Sequence, residues 1–216
     1  MTPSFSTLVA HETPTPAPAP GAGCAVLDQA ATAVTDLLTA FGIDEGDHTA
    51  DTPKRVAKAW AHRLAGYRED PVAHLDRTFP APHHAGPVIV SGIRVASTCA
   101  HHLLPFTGTA TVAYAPAPQS RIVGLSKLSR LVDGYARRLQ VQERLGTQVA
   151  DAVYDRLTPR WACVLITAEH QCMTLRGVED PHTVTTTRTI RGHISDADLH
   201  LVLSAHRDAT RKSATA

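Results

Sequence analysis

Apolar residues recur every three or four positions early in the chain and then alternate or run together. This predicts helices first, followed by interleaved strands and helices. Val26, Leu27, Ala30, Val34, Leu37, Leu38 and Phe41 give a helix from Cys24 to Phe41 that Gly42 stops. Asp51-Thr52-Pro53 predicts a second start, a capping aspartate ahead of a proline, with Val56, Trp60, Leu64 and Tyr67 as its stripe. Val88 to Val95 and Thr109 to Tyr114 read as strands, the second ended by the Pro116/Pro118 loop. Ser126 is placed to cap a helix carrying Leu128, Leu131, Val132 and Tyr135, and Leu145, Val149, Val153 and Leu157 line another. Trp161 to Thr167 and Val184 to Ile190 return to strand, and Ser195 opens a last helix through Leu199, Val202 and Leu203. Such an irregular alternation predicts the α+β class with antiparallel pairing.

Residues 1–22, with Thr-Pro-Thr-Pro-Ala-Pro-Ala-Pro at their centre, lack this periodicity and read as a flexible tail. That leaves 23–216, enough for one domain with a real core. Lys and Arg outnumber Asp and Glu by 21 to 20, too small an excess for a nucleic-acid binder, so any basic cluster is local. No apolar run reaches the length of a membrane span, and the N-terminus lacks the order of a secretory signal; the expected location is cytoplasmic.

Cys99-Ala100-His101-His102 is answered 70 residues later by His170-Gln171-Cys172. Cys99, His102 and Cys172 suit zinc, and no second close pair follows as in a finger. Three ligands with imidazoles beside them favour metal-assisted hydrolysis over a structural knot. The remaining cysteines, Cys24 on a helix and Cys163 in an apolar strand, read as small buried hydrophobes. His62, His83, His84, His193, His200 and His206 read as structural or exposed. Ser126, Lys127 and Arg130 at a helix start read first as a cap with solvated cations, and second as an anion site. Glu143 near the next helix start is ordinary dipole pairing, or in a pocket an acceptor for two adjacent N–H donors.

Gly124-Leu125-Ser126-Lys127, Arg137 to Leu145, Cys99 to Phe106 and His170 to Gly177 together resemble the GTP cyclohydrolase I family. Asp51 to Lys58 and the threonine-rich Thr185 to Gly192 also match it, so the likeness spans roughly 24–208. The resemblance implies a tunnelling fold: an antiparallel sheet with helices on one face over about 87–208, preceded by N-terminal helices over about 24–70. It implies a ring, usually a homodecamer of two pentamers, with sites between subunits. It implies hydrolysis and rearrangement of GTP to 7,8-dihydroneopterin triphosphate with release of formate, the first step of pterin and folate synthesis.

By matched position, Cys99, His102 and Cys172 would hold Zn2+, whose activated water attacks C8 of guanine, and His101 and His170 would move protons. Glu143 with Gln142 would grip the guanine edge. Ser126, Lys127, Arg130 and Arg176 would hold the triphosphate, helped by Arg55 and Lys58 of a neighbour.

Two positions depart from the family. Ala100 stands where it nearly always has glutamate, and His182 where a small residue is usual. The first removes an anion beside the metal, an influence on histidine orientation and metal affinity. It motivates an alternative, a diverged paralogue serving specialised purine or deazapurine metabolism or stopping at a ring-opened formamide. A non-catalytic GTP-binding scaffold is the reading from another class, and intact His101 and His170 argue against it.

Overall fold

The computed structural model describes residues 22–43, 46, 48–83 and 86–214. The Pro-rich tail lies outside the described residues except at its last position, as does His84. Helices α1 (Ala22–Ala40) and α2 (Thr52–Arg63) pack on each other ahead of two short 3-10 turns. Strands β1 (Thr78–Pro80) and β4 (Arg121–Val123) form a small antiparallel pair. The main sheet has five strands in the order β5-β2-β3-β6-β7, with β2 Val88–Cys99, β3 Pro105–Ala115, β5 Leu139–Gln140, β6 Trp161–His170 and β7 Val184–Gly192. All neighbours are antiparallel except the short β5, which runs parallel to the end of β2 and makes the sheet mixed.

Period-two alternation in β3 and β6 feeds two cores. Ala110, Val112 and Tyr114 of β3, with Ala162, Val164 and Ile166 of β6, pack beneath α3 (Leu125–Ala136) and α4 (Gln142–Leu157). The α4 stripe of Leu145, Val149, Val153 and Leu157 is fully buried there. Ala113, Ala115, Trp161, Cys163 and Leu165 face the other way, against Val202 and Leu199 of α6 (Asp196–Ala214). The expectation of helices on one face is therefore corrected: α6 covers the second face, because β3 and β6 are apolar on both sides. Trp161 adds a hydrogen bond from its indole N–H to Asp198 at 3.2 Å.

Local starts differ from the sequence reading in two places. Asp51 makes no capping bond; its carboxylate pairs with Arg55 at 3.1 Å instead. The α3 cap position is Gly124, with Ser126 already inside the first turn. Ser195 does cap, its hydroxyl accepting from the Asp198 N–H at 3.2 Å. Cys163 is buried as expected, whereas Cys24, in the first turn of α1, is exposed.

Between α6 and the sheet lies a polar seam. His206 is only 6% exposed, its Nδ1 2.9 Å from the Thr111 hydroxyl and its Nε2 2.9 Å from the Thr167 hydroxyl. Burial pushes its pKa below the ordinary 6.5, so the native protein binds fewer protons than the unfolded chain. The stability this neutral ring supports is whole above about pH 6.5 and is lost as pH falls through the lowered native value. Thermal midpoints measured from pH 8 down to pH 5 should drop on the acid side, and His206→Gln should flatten that drop while lowering the midpoint at pH 8.

Candidate metal centre and its surroundings

Strand register explains why two motifs 70 residues apart meet. β3 is flanked by β2 and β6, with Thr98 opposite Pro105 and Phe106 opposite His170. Cys99 ends β2, and the turn that follows is closed by Leu103 N–H to Cys99 O at 2.9 Å and Cys99 N–H to Leu104 O at 2.8 Å. Leu103 takes φ +58° there, a left-handed conformation uncommon for a side chain of its size. The turn thereby presents His101 and His102 at its exposed tip. On the far side, β6 ends at His170 and the single-turn helix α5 (Gln171–Thr174) swings Cys172 back toward Cys99.

The ligand atoms of Cys99, His102 and Cys172 all lie within 4.8 Å of one another. Cys99 is buried, Cys172 half-buried and His102 exposed, so the cluster sits at the surface end of the sheet with one open side. Cys99 Sγ is 3.9 Å from His102 Nδ1 and 4.0 Å from His101 Nδ1. Two sulfurs and an imidazole form a borderline-soft donor set that fits zinc, and three protein ligands leave a coordination position for water. Partial burial and the adjacent Cys99 sulfur push the Cys172 thiol above its ordinary value. A bound cation reverses that preference, since a coordinating thiol gives up its proton.

His170 stacks on the fully buried Phe106, ring centroids 4.6 Å apart and planes within 8°. Its Nε2 lies 2.7 Å from Gln142 Oε1. Burial lowers the His170 pKa, and the nearby Glu143 carboxylate works against that shift. Glu143 is exposed in the first turn of α4, so it shares the opening with His170. Gln142 does not join it. That side chain is 1% exposed, and its amide donates toward Ile166 O at 3.0 Å, Thr185 O at 3.1 Å and the Thr187 hydroxyl at 3.1 Å. Its side-chain polar atoms are already occupied within the fold, whereas Glu143 beside it faces outward. Adjacent residues at a helix start point in different directions, and only the fold tells which points inward.

Arg176 is exposed and reaches back to the cluster, Nη1 2.9 Å from His102 Nε2. Ser126, Lys127 and Arg130 occupy the first turns of α3 and make no side-chain hydrogen bond or ion pair among the described residues. Arg55 is tied to Asp51, and Lys58 is exposed on α2. No polar contact links these five to the Cys/His cluster within one chain. Ala100, half-buried beside the ligands, is held through its N–H to Gln140 O at 2.9 Å, which ties the metal turn to β5.

A family model described as GTP cyclohydrolase I matches residues 30–205. A GTP cyclohydrolase 1 of Thermobifida fusca is 51% identical over 161 residues, 74% of this chain and 77% of that one. One from Carboxydothermus hydrogenoformans is 48% identical over 74% of this chain and 83% of its own length. One from Streptomyces coelicolor is 46% identical over 78% and 84%. Among solved structures, the crystal structure of the archaeosine synthase QueF-Like in the apo form aligns with 51% of this chain and 98% of that one, at 16% identity and a TM-score of 0.40, a likeness too slight to carry weight.

Removing one of three ligands should cost more than the ~10–100-fold typical of losing an outer-shell partner. Cys172→Ser protein dialysed against zinc should therefore retain far less than one ion per chain by elemental analysis, while unsubstituted protein holds one. Because Cys172 sits on a half-exposed single turn, the far-ultraviolet circular dichroism should not change.

Proposed function

The chain belongs to the GTP cyclohydrolase I family, and we propose that it converts GTP to 7,8-dihydroneopterin triphosphate and formate at a zinc ion held by Cys99, His102 and Cys172. The observation that carries the site assignment is the convergence of those three ligand atoms beside His170. When bound, zinc supplies a Lewis acid that lowers the pKa of a coordinated water toward about 7.

The protein's own groups do the rest. His170, buried enough to be neutral near pH 7 and held flat against Phe106, accepts and returns a proton at the opening. His101, at the exposed tip of the turn, is the second proton-transfer group. Glu143 receives the two adjacent guanine N–H donors in a bidentate pair. Arg176, Ser126, Lys127 and Arg130 take the triphosphate, whose charge needs several cations at once.

The same reading makes the protein a ring-forming oligomer, a decamer of the tunnelling fold, with its sites between chains. Arg55 and Lys58, which make no polar contact with the cluster in their own chain, then serve a neighbour's site. Supporting this, α1 and the turn after it leave apolar side chains in solvent, with Leu37 56% exposed and Phe41 76%. The free edge of β7 is available for pairing with another copy. Residues 23–216 form the catalytic domain. No helix among the described residues is long and apolar enough to cross a membrane, which is compatible with work in the cytoplasm.

Ala100 favours a second reading, in which turnover stops at a ring-opened formamide or serves specialised purine chemistry. One incubation separates the two. Zinc-loaded protein with GTP should release formate and yield neopterin fluorescence after oxidation, and Cys172→Ala should yield neither. GTP consumed without pterin would select the second reading, and GTP bound but never consumed would defeat both.

A further inference from the structure

Gln142, beside His170, is both fully buried and fully engaged. Its neighbours decide which way its amide lies. Ile166 O and Thr185 O are carbonyl oxygens that only accept, so the NH2 end must face them. Turning the amide over would set its oxygen against two carbonyl oxygens. Oε1 is thus the end that faces His170 Nε2, at 2.7 Å. An amide oxygen cannot donate, so the hydrogen of that bond belongs to His170 Nε2. In the neutral ring the lone pair then resides on Nδ1.

We infer that Gln142 is a positioning residue, which fixes the Nε2–H tautomer of His170 and reserves Nδ1 as its proton-accepting atom. This rests on the reading of His170 as a proton-transfer group. Two contacts hold the ring. The stack on Phe106 sets its plane, and the Gln142 bond sets its rotation within that plane. Gln142 is itself anchored to β6 through Ile166 and to β7 through Thr185 and Thr187. The edge strand β7 therefore reports to the reacting end of the sheet through one amide. The contiguous Gln142-Glu143 pair divides its work: one residue aims the base from behind, the other faces the ligand.

The test is a double-variant cycle in zinc-loaded full-length protein, with Gln142→Met, His170→Ala and both together. Gln142→Met nearly conserves volume and removes the acceptor. General acid–base catalysis contributes about 10²–10⁴-fold. Gln142→Met should accordingly lower kcat by roughly 10- to 100-fold. KM for GTP and zinc content should hold, and His170→Ala should lose no further activity when Gln142→Met is added. A raised KM with kcat unchanged, or losses that multiply in the double variant, would overturn the inference in favour of a separate role for Gln142. Full turnover by His170→Ala would instead bring down the underlying assignment of His170. Should the variants not fold, the unsubstituted protein still decides. Nitrogen-15 histidine spectra, with His170 identified by its contact to Phe106, should show a protonated Nε2, and a protonated Nδ1 would refute the inference.

Discussion

β3 lies between β2 and β6, and its register with both neighbours is the constraint from which the site follows. Pro105 pairs with Thr98 and Phe106 with His170, so the end of β2, the start of β3 and the end of β6 finish level. A slip of one residue would turn every side chain of a strand to the opposite face. Here that would also part Cys99 from Cys172 and slide His170 off Phe106. Burial on both faces prevents it. The inner strands carry apolar side chains up and down, and either core alone would penalise a shifted strand. At Gly108, two residues beyond Phe106 on β3, an added Cβ would fall 2.0 Å from Thr167 O, so the pairing with β6 there admits no side chain at all.

Around that fixed end the chemistry is arranged by depth. Cys99 is buried at the strand end, Cys172 is half-buried on a single turn, and His101 and His102 stand in solvent at the hairpin tip. A cation arriving from outside meets imidazoles first and thiols last. Behind them, His170 is kept neutral by burial while its amide partner stays dry. The candidate metal ligands and His170 thus share one end of the sheet but sit in different surroundings, which lets one small region tune them separately.

Much of this was legible in the sequence, for identifiable reasons. The buried stripe of α4 and the strands around Val112 and Val164 announce themselves by period. The Cys/His cluster that could hold a metal does so by residue type and spacing. What escaped was whatever depends on direction. Ser126 and Gly124 are both credible caps, and only the backbone shows that the glycine holds the position. Gln142 and Glu143 look like a matched pair until the fold turns one inward. The second helical layer was hidden because α6 meets the sheet partly through threonines and a histidine, and such residues carry no apolar period.

That threonine and histidine seam has a consequence of its own. A helix resting only on aliphatic side chains can settle in several neighbouring seats of similar energy. His206 offers two nitrogens at a fixed separation, and Thr111 and Thr167 meet one each. Thr210, one turn on, meets Thr109 at 3.2 Å. Shifting α6 by a residue would strand polar atoms of the buried Thr109, Thr111 and His206, at a cost of roughly 1–3 kcal/mol apiece. The seam works as a key: it adds little grip, but it admits α6 in a single seating.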